Sequence, residues 1–285
     1  MTVTLVLKQV PDIPIEAESI TPCNLAGKSL KEIGALEVYQ GNQTLTLREF
    51  FEIGGSAGDD PSRTDIVVTG DLRRVKMIGR RMNGGSITIA GDVGMYLGAE
   101  MVAGRIHVRG NVGAWAAAEM KGGNIQIEGN AGDCLCAGYR GSQDGMTGGR
   151  VFVAGNVGTE MASHIRRGLI AVRGDVSELC AARMQGGTII VGGQLGPRVG
   201  IEASRGMIIA LGRVERVLPT YRYSGTSERE FIGYYLRYLR SRRPDFVPRT
   251  IDASERWVKY VGDFAESDPR TELYFRPGLT RQSEG

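Results

Sequence analysis

Ile87-Thr-Ile-Ala-Gly91-Asp92-Val-Gly94 is followed by Ile106-His-Val-Arg-Gly110-Asn111-Val-Gly113 and then by Ile125-Gln-Ile-Glu-Gly129-Asn130-Ala-Gly132. An earlier copy begins at Ile66, and later copies begin at Val151, Ile170, Ile189 and Ile208. The first residues of these copies lie 21, 19, 19, 26, 19, 19 and 19 positions apart. A fixed period of this size is the mark of a solenoid. Each unit is too short for a strand, a crossover helix and a second strand. The apolar-x-apolar core alternates as a half-buried strand does, and the glycine after it permits a positive φ at a corner. The economical arrangement is one coil per repeat, with equivalent strands stacked in parallel about 4.8 Å apart.

That arrangement predicts an all-β fold, a parallel β-helix of about seven to eight coils. Ile87, Ile106, Ile125, Val151, Ile170, Ile189 and Ile208 would form one inward ladder. Ile89, Val108, Ile127, Val153, Val172 and Val191 would form a second. Stacked apolar side chains stabilise such a rod by roughly 25 cal/mol per Å² buried. The residues do not encode handedness. Parallel β-connections are normally right-handed, which favours a right-handed helix.

One polar column follows the corner glycines: Asp71, Asp92, Asn111, Asn130, Asn156 and Asp175, with Gln194 and Arg213 after them. A metal or acid–base array would use such residues. Active sites converge, however, whereas this column recurs at every coil, so a structural corner ladder is expected. Glu100 and Glu119 align on successive coils, as do Met101, Met120 and Met184. The fourth coil carries extra residues at Tyr139–Thr147, a candidate contact loop, because insertions in solenoids map to one face. Tyr96, Trp115, Tyr139 and Phe152 are read as unaligned. Cys134-Leu-Cys136 has no second pair and no histidine at ligand spacing, so buried thiols are expected there.

The flanks differ in character. Residues 1–65 read as a small α+β cap, needed because an open stack of strands ends in unpaired backbone groups. Thr2–Lys8 alternates as a strand, Ser29-Leu-Lys-Glu32 has the form of a capping box, and residues 36–47 form a hairpin turning at Gly41-Asn42. Residues 54–62 read as a flexible link. The repeat domain is taken as 66–218, and 219–285 as a helix plus closing strands. Ser227-Glu-Arg-Glu230 predicts a helix start, with Phe231, Tyr234, Tyr235, Tyr238 and Leu239 on its apolar stripe. Arg237, Arg240, Arg242 and Arg243 would then offer contact to a partner or an anionic carrier. From Tyr221 to Arg249 there are seven arginines against three acids.

The 285 residues carry a formal charge of +3, which makes no case for nucleic acid or a membrane surface. No signal segment or membrane span is evident, and four irregularly spaced cysteines suit a reducing compartment. A cytoplasmic protein is expected. With two histidines, His107 and His164, in different columns, no catalytic triad or metal site can be assembled. Two enzymatic alternatives remain: a groove enzyme acting on polysaccharide, and a trimeric acyltransferase of hexapeptide type.

The repeats resemble the glycine-patterned β-helix shared by the C-terminal domain of glutamate synthase and the C subunit of formylmethanofuran dehydrogenase. Outside them, Ile15-Glu-Ala-Glu-Ser-Ile-Thr-Pro22, Leu25-Ala-Gly-Lys-Ser29 and Val38-Tyr-Gln-Gly-Asn42 are similar to the N-terminal region of that dehydrogenase polypeptide. Val258-Lys-Tyr-Val-Gly-Asp-Phe-Ala265 is similar to its C-terminal region. The arginine-rich helix inclines the resemblance toward the C subunit of the formyltransferase/hydrolase complex of methylotrophs. The resemblance implies a non-catalytic structural subunit in one-carbon metabolism and formaldehyde oxidation. In that family the complex passes a formyl group from formyl-tetrahydromethanopterin to a methanofuran-type carrier and hydrolyses it to formate. It implies no cofactor in the structural subunit itself. The carrier, tetrahydromethanopterin and zinc would be held by an amidohydrolase-like component (A), a dehydrogenase-B-like component (B) and a formyltransferase component (D). The alternative parent is the molybdenum or tungsten dehydrogenase complex.

Overall fold

The computed structural model describes residues 1–252 and 254–280. The cap contributes β1 (Thr2–Leu7), β2 (Ile15–Glu16), α1 (Pro22–Leu25), α2 (Leu30–Gly34), β3 (Glu37–Gln40), β4 (Gln43–Thr46), α3 (Leu47–Phe50) and β5 (Phe51–Gly55). The repeats contribute β6 (Asp65–Thr69), β7 (Val75–Lys76), β8 (Asn83–Ile89), β9 (Ala103–Val108), β10 (Asn124–Ile127), β11 (Arg150–Val153), β12 (Leu169–Val172), β13 (Gln185–Val191) and β14 (Arg205–Ala210). The chain ends with β15 (Arg222–Glu228), α4 (Glu230–Arg242), β16 (Arg256–Gly262) and β17 (Arg270–Phe275).

The protein is mostly β, with few helices. One 13-stranded sheet runs β15-β16-β17-β14-β13-β12-β11-β10-β9-β8-β6-β1-β5. It is parallel from β1 through β17, and antiparallel strands close both ends: β5 on one, β16 and β15 on the other. Both flanking segments therefore share the sheet of the repeats. A small second sheet, β4-β3-β2-β7, ties the cap to the first repeat.

Register follows the period. Ile66, Ile87, Ile106, Ile125, Val151, Ile170, Ile189, Ile208 and Leu273 pair in one column, each 1% exposed or less. Val68, Ile89, Val108, Ile127, Val153, Val172, Val191, Ala210 and Phe275 form the next inward column. A second side is a ladder of single bridges through Leu72, Val93, Val112, Ala131, Val157, Val176, Leu195 and Val214.

The third side is unlike either. Tyr96, Trp115, Cys134, Glu160, Leu179 and Arg198 share one repeat position there, and all have φ between 56° and 63°. The backbone bonds alternately forward and back: Tyr96 N–H donates to Ala114 O (3.0 Å), and Gly98 N–H to Ile78 O (2.9 Å). Beneath this side Met82, Met101, Met120, Met146 and Met184 form a buried column. Gly104, with φ +100°, faces it; a Cβ there would lie 2.6 Å from Met82 Cε and 2.8 Å from Gly85 O. Methionine suits the column because its flexible thioether fills irregular gaps.

At α2, Glu32 Oε2 accepts from Ser29 N–H (2.8 Å) and Oγ (2.7 Å), the capping box expected. The hairpin β3–β4 turns through Gly41-Asn42. Two expectations fail and a third holds in part. Residues 54–62 are not a loose link: the edge strand β5 ends at Gly55, Pro61–Arg63 forms a 3₁₀ turn, and the buried Thr64 hydroxyl bonds Gly58 N–H (3.1 Å). Ser227 does not cap a helix; it lies in β15 opposite Trp257, and α4 begins with no side-chain cap. The buried face of α4 is Ile232, Leu236 and Leu239, while Tyr234 is 65% exposed. Phe231, Tyr235 and Tyr238 are partly buried against the same core as Leu239, so Tyr234 alone leaves the expected stripe.

That packing forms a second core on the outer face of the sheet. Ile232, Leu236, Leu239 and Trp257 meet Phe152, Ala171, Ile190, Ile209 and Tyr274. Among the described residues, no helix is long and apolar enough to cross a membrane.

Candidate functional site

The corner column is a ladder of side chain to backbone bonds. Asp92 Oδ1 accepts from Asn111 N–H (2.7 Å), Asn111 Oδ1 from Asn130 N–H (2.8 Å), and Asn130 Oδ1 from Asn156 N–H (2.8 Å). Asn156 Oδ1 accepts from Asp175 N–H (2.9 Å), and Asp175 Oδ1 from Gln194 N–H (2.7 Å). Each acceptor satisfies an amide one turn further on. Asp71 stands apart: it accepts from Arg73 Nε (2.8 Å), and that guanidinium holds its carboxyl down at about 2.

The histidines are on different sides. His107 Nε2 lies 3.1 Å from Glu128 on the outer face of the sheet. His164 lies on the third side, 3.1 Å from the Ser163 hydroxyl, and burial together with Arg183 lowers its pKa. Cys134, Cys136 and Cys180 are buried. Burial pushes the Cys180 thiol up to about 12 and that of Cys134 up to about 11, the latter with help from Glu160. They are therefore poor nucleophiles at neutral pH. Among the described residues, no three His, Cys, Asp or Glu side chains are grouped to hold a metal ion.

The aromatic residues correct the expectation that they do not align. Tyr96 and Trp115 stack on successive turns, with ring centroids 6.3 Å apart and planes within 19°. Tyr139 reaches back from the extra loop and stacks on Trp115 at 5.8 Å and 28°. The nineteen residues from 96 to 115 are one period, so this part was readable in the sequence. Tyr139 was not, because the loop breaks the period before Met146 rejoins its column. Phe152 belongs elsewhere, edge-on to Phe246 in the outer core (6.2 Å).

Beside the stack lies an ionic cluster. Glu100 is bound by Arg80 (2.7 Å) and Arg81 (2.8 Å), and Arg80 also reaches Glu18 of the cap (2.7 Å). Burial opposes ionisation of Glu100, but hydrogen bonds from Arg81 and Arg80 outweigh it and hold the carboxyl below its usual range. Glu119, one turn on, accepts instead from Tyr139 N–H (3.2 Å). The two stacked carboxylates thus have separate partners, and Glu100 is a fixed anion, not a proton donor. Burial, then Glu100, pushes the Tyr139 phenol up to about 12.

The four arginines of the C-terminal helix divide two and two. Arg243 is 9% exposed; it ion-pairs with Glu128 (2.8 Å) and stacks over Phe246 (4.6 Å). Arg240 donates to the carbonyls of Pro248 and Ile251. Both fasten the segment after α4. Arg237 lies over the exposed Tyr234 ring (4.6 Å), and Arg242 faces outward. Only these two remain for a ligand or partner.

No family model matches the chain. Over 95 residues it is 46% identical to the C subunit of molybdenum-containing formylmethanofuran dehydrogenase 1 from Methanosarcina barkeri, covering 33% of this chain and 32% of that protein. Over 97 residues it is 39% identical to the C subunit of tungsten-containing formylmethanofuran dehydrogenase 2 from Methanothermobacter wolfeii, covering 34% and 36%. These matches span about a third of the relatives' length. The likeness to a solved structure is longer. A chain of the formyltransferase/hydrolase complex FhcABCD from Methylorubrum extorquens, crystallised with methylofuran, superposes with a TM-score of 0.85 at 30% identity. That match covers 96% of this chain and 99% of the other. By sequence and by whole-chain structure, this chain belongs to the family formed by the C subunit of formylmethanofuran dehydrogenase and its counterpart in the formyltransferase/hydrolase complex.

Proposed function

We propose that this chain is a non-catalytic structural subunit of a formyltransferase/hydrolase complex. The complex would move a formyl group from formyl-tetrahydromethanopterin to a methanofuran-type carrier and hydrolyse it to formate in the cytoplasm. The observation that carries this reading is the match, over nearly all of both chains, to a chain of a complex with that name. The long, mostly parallel sheet supports a scaffold; we read it as a right-handed parallel β-helix of about seven to eight coils, with residues 1–65 and 219–285 as its ends, that would offer rigid sides for docking. Partners would be the amidohydrolase-like, dehydrogenase-B-like and formyltransferase components, and these would hold the carrier, tetrahydromethanopterin and zinc. Arg237 and Arg242, the exposed pair of the helix arginines, would be the ones to meet an anionic carrier. The test is to purify the tagged chain from its own cells, identify what accompanies it, and assay formyl transfer and hydrolysis by the complex and by the chain alone. Turnover by the isolated chain would overturn the scaffold reading.

A second reading, membership in a formylmethanofuran dehydrogenase, is favoured by the higher local identity to the C subunit of those enzymes. Molybdenum or tungsten in the purified complex, at one atom per catalytic subunit, would decide for it.

A further inference from the structure

The repeat position occupied by Gly122 and Gly148 in the middle turns changes in the later ones, where it reads Arg167, Gly186, Arg205. In the register of β13 on β14, Arg205 pairs with Gln185 beside a bulge, and Arg205 in turn pairs with Arg270 of β17. The guanidiniums of Arg167 and Arg205 therefore leave turns that flank one with no side chain at Gly186 or Gly187. The gap between them is a notch of about 510 Å³, lined by Arg166, Arg167, Gln185, Gly186, Gly187 and Arg205. Like charges stacked along a sheet repel. Arg270 is offset by Asp268 (2.7 Å). Arg167 and Arg205 are exposed, and neither has a carboxylate partner among the described residues.

One lining arginine of the notch already has a carboxylate partner. Asp144, from the extra loop of the fourth coil, binds Arg166 (2.6 Å), and Gln185 Nε2 donates to Gln143 O (3.0 Å) in the same loop. The loop is thus tied to two residues that line the notch, and its own aspartate shows how a carboxylate meets an arginine of this corner. Two residues on from Arg167 along the chain, Leu169 begins an apolar shelf of about 330 Å³ completed by Arg150, Tyr234, Tyr235 and Tyr238. Arg150 is held there by the Tyr238 hydroxyl (2.9 Å).

From this arrangement we infer that the notch and shelf are a docking site for an acidic protein segment. Its carboxylates would meet Arg167 and Arg205, and an apolar side chain would rest on Leu169, Tyr234 and Tyr235. Arginine is the suited residue, since its planar fork pairs with carboxylate in two places. The shelf is what selects a peptide over a free anion, which has nothing to place on it. A nucleic acid would call for a longer basic stripe than one notch. The inference rests on charge and shape alone, so it stands or falls apart from the choice of parent complex.

The test uses the full chain and an eight-residue peptide alternating aspartate and serine, with one central leucine. Fluorescence anisotropy should show binding that weakens as salt rises, because exposed charge pairs are screened. The double variant Arg167→Gln/Arg205→Gln should weaken it by about fivefold or more, while Arg167→Lys/Arg205→Lys should restore part of it. Both variants change exposed side chains, and an unchanged melting curve confirms that the rod is intact. The inference is overturned if the asparagine counterpart of the peptide binds equally well, or if the double glutamine variant binds undiminished. It is overturned equally if inorganic phosphate or a short RNA binds the notch more tightly than the peptide.

Discussion

The two halves of the main sheet have the same inside and opposite outsides. Along β8, β9 and β10 the outward residue between the inward pairs is Thr88, His107 and Gln126, and these stay half-buried with no helix packed on them. Along β11 to β14 and β17 it is Phe152, Ala171, Ile190, Ile209 and Tyr274, all buried beneath α4 and the segment after it. The repeat and register are unchanged across the boundary. One column therefore decides whether a turn is half-buried or buried on both faces, and the inward ladders need no adjustment. The ends both add ion pairs to apolar contact, at different turns. The C-terminal segment reaches the repeats through Arg243 with Glu128 and Asp245 with Arg173, and the cap reaches the first turns through Arg80, Glu18 and Glu100.

This contrast can be broken at its strongest point. Ile190→Glu places an unpaired charge between sheet and helix and should destabilise by roughly 3–5 kcal/mol. Gln126→Glu, at the equivalent position of the half with no helix packed on it, should stay within about 0.5 kcal/mol. Urea unfolding of both variants measures the difference; equal losses would refute the two-sided picture. Leu236→Ala should cost about 2–4 kcal/mol, and hydrogen exchange should show α4 released while β8–β10 keep their protection. Gly104→Ala, which drives a Cβ against Met82 and the Gly85 carbonyl at a positive φ, should cost more than about 1 kcal/mol. Its loss should be confined to the early turns.

The smallest effect sharpens the comparison between the ends. The carboxyl of Glu100 is held below its ordinary value of 4.5, so it binds protons less readily folded than unfolded. Its contribution is present above the unfolded pKa and is lost as pH falls through the folded one. Acidification below about pH 4 should therefore loosen amides around Arg80 and Glu100 before those of α4. Glu100→Gln should flatten that part of the acid limb. Simultaneous loosening at both ends would remove the distinction.

Much of this was legible in the residues. The inward columns needed only period and alternation, and the corner ladder needed only Asp or Asn after each glycine. The cover over the late half was legible too, in the change from Thr88, His107 and Gln126 to Phe152, Ala171, Ile190 and Ile209, but a motif read only for its inward pair passes over it. What could not be read depends on contacts between distant segments. Arg243 looks like a surface charge until Glu128, 115 residues away, is seen beside it. Ser227-Glu-Arg-Glu230 has the letters of a cap, yet pairing with β16 claims Ser227 for a strand. Tyr139 joins the aromatic stack only because the extra loop turns back on Trp115.

That loop has a mechanical consequence. The bond from Asn156 N–H to Asn130 Oδ1 spans 26 residues, and that from Asn130 N–H to Asn111 Oδ1 spans 19, yet both are 2.8 Å. The pitch of the rod is blind to how much chain is spooled out at this corner. Foreign sequence could be grafted between Arg140 and Gln143 as a tether or a label, and the rungs above and below would still fall on the same axis.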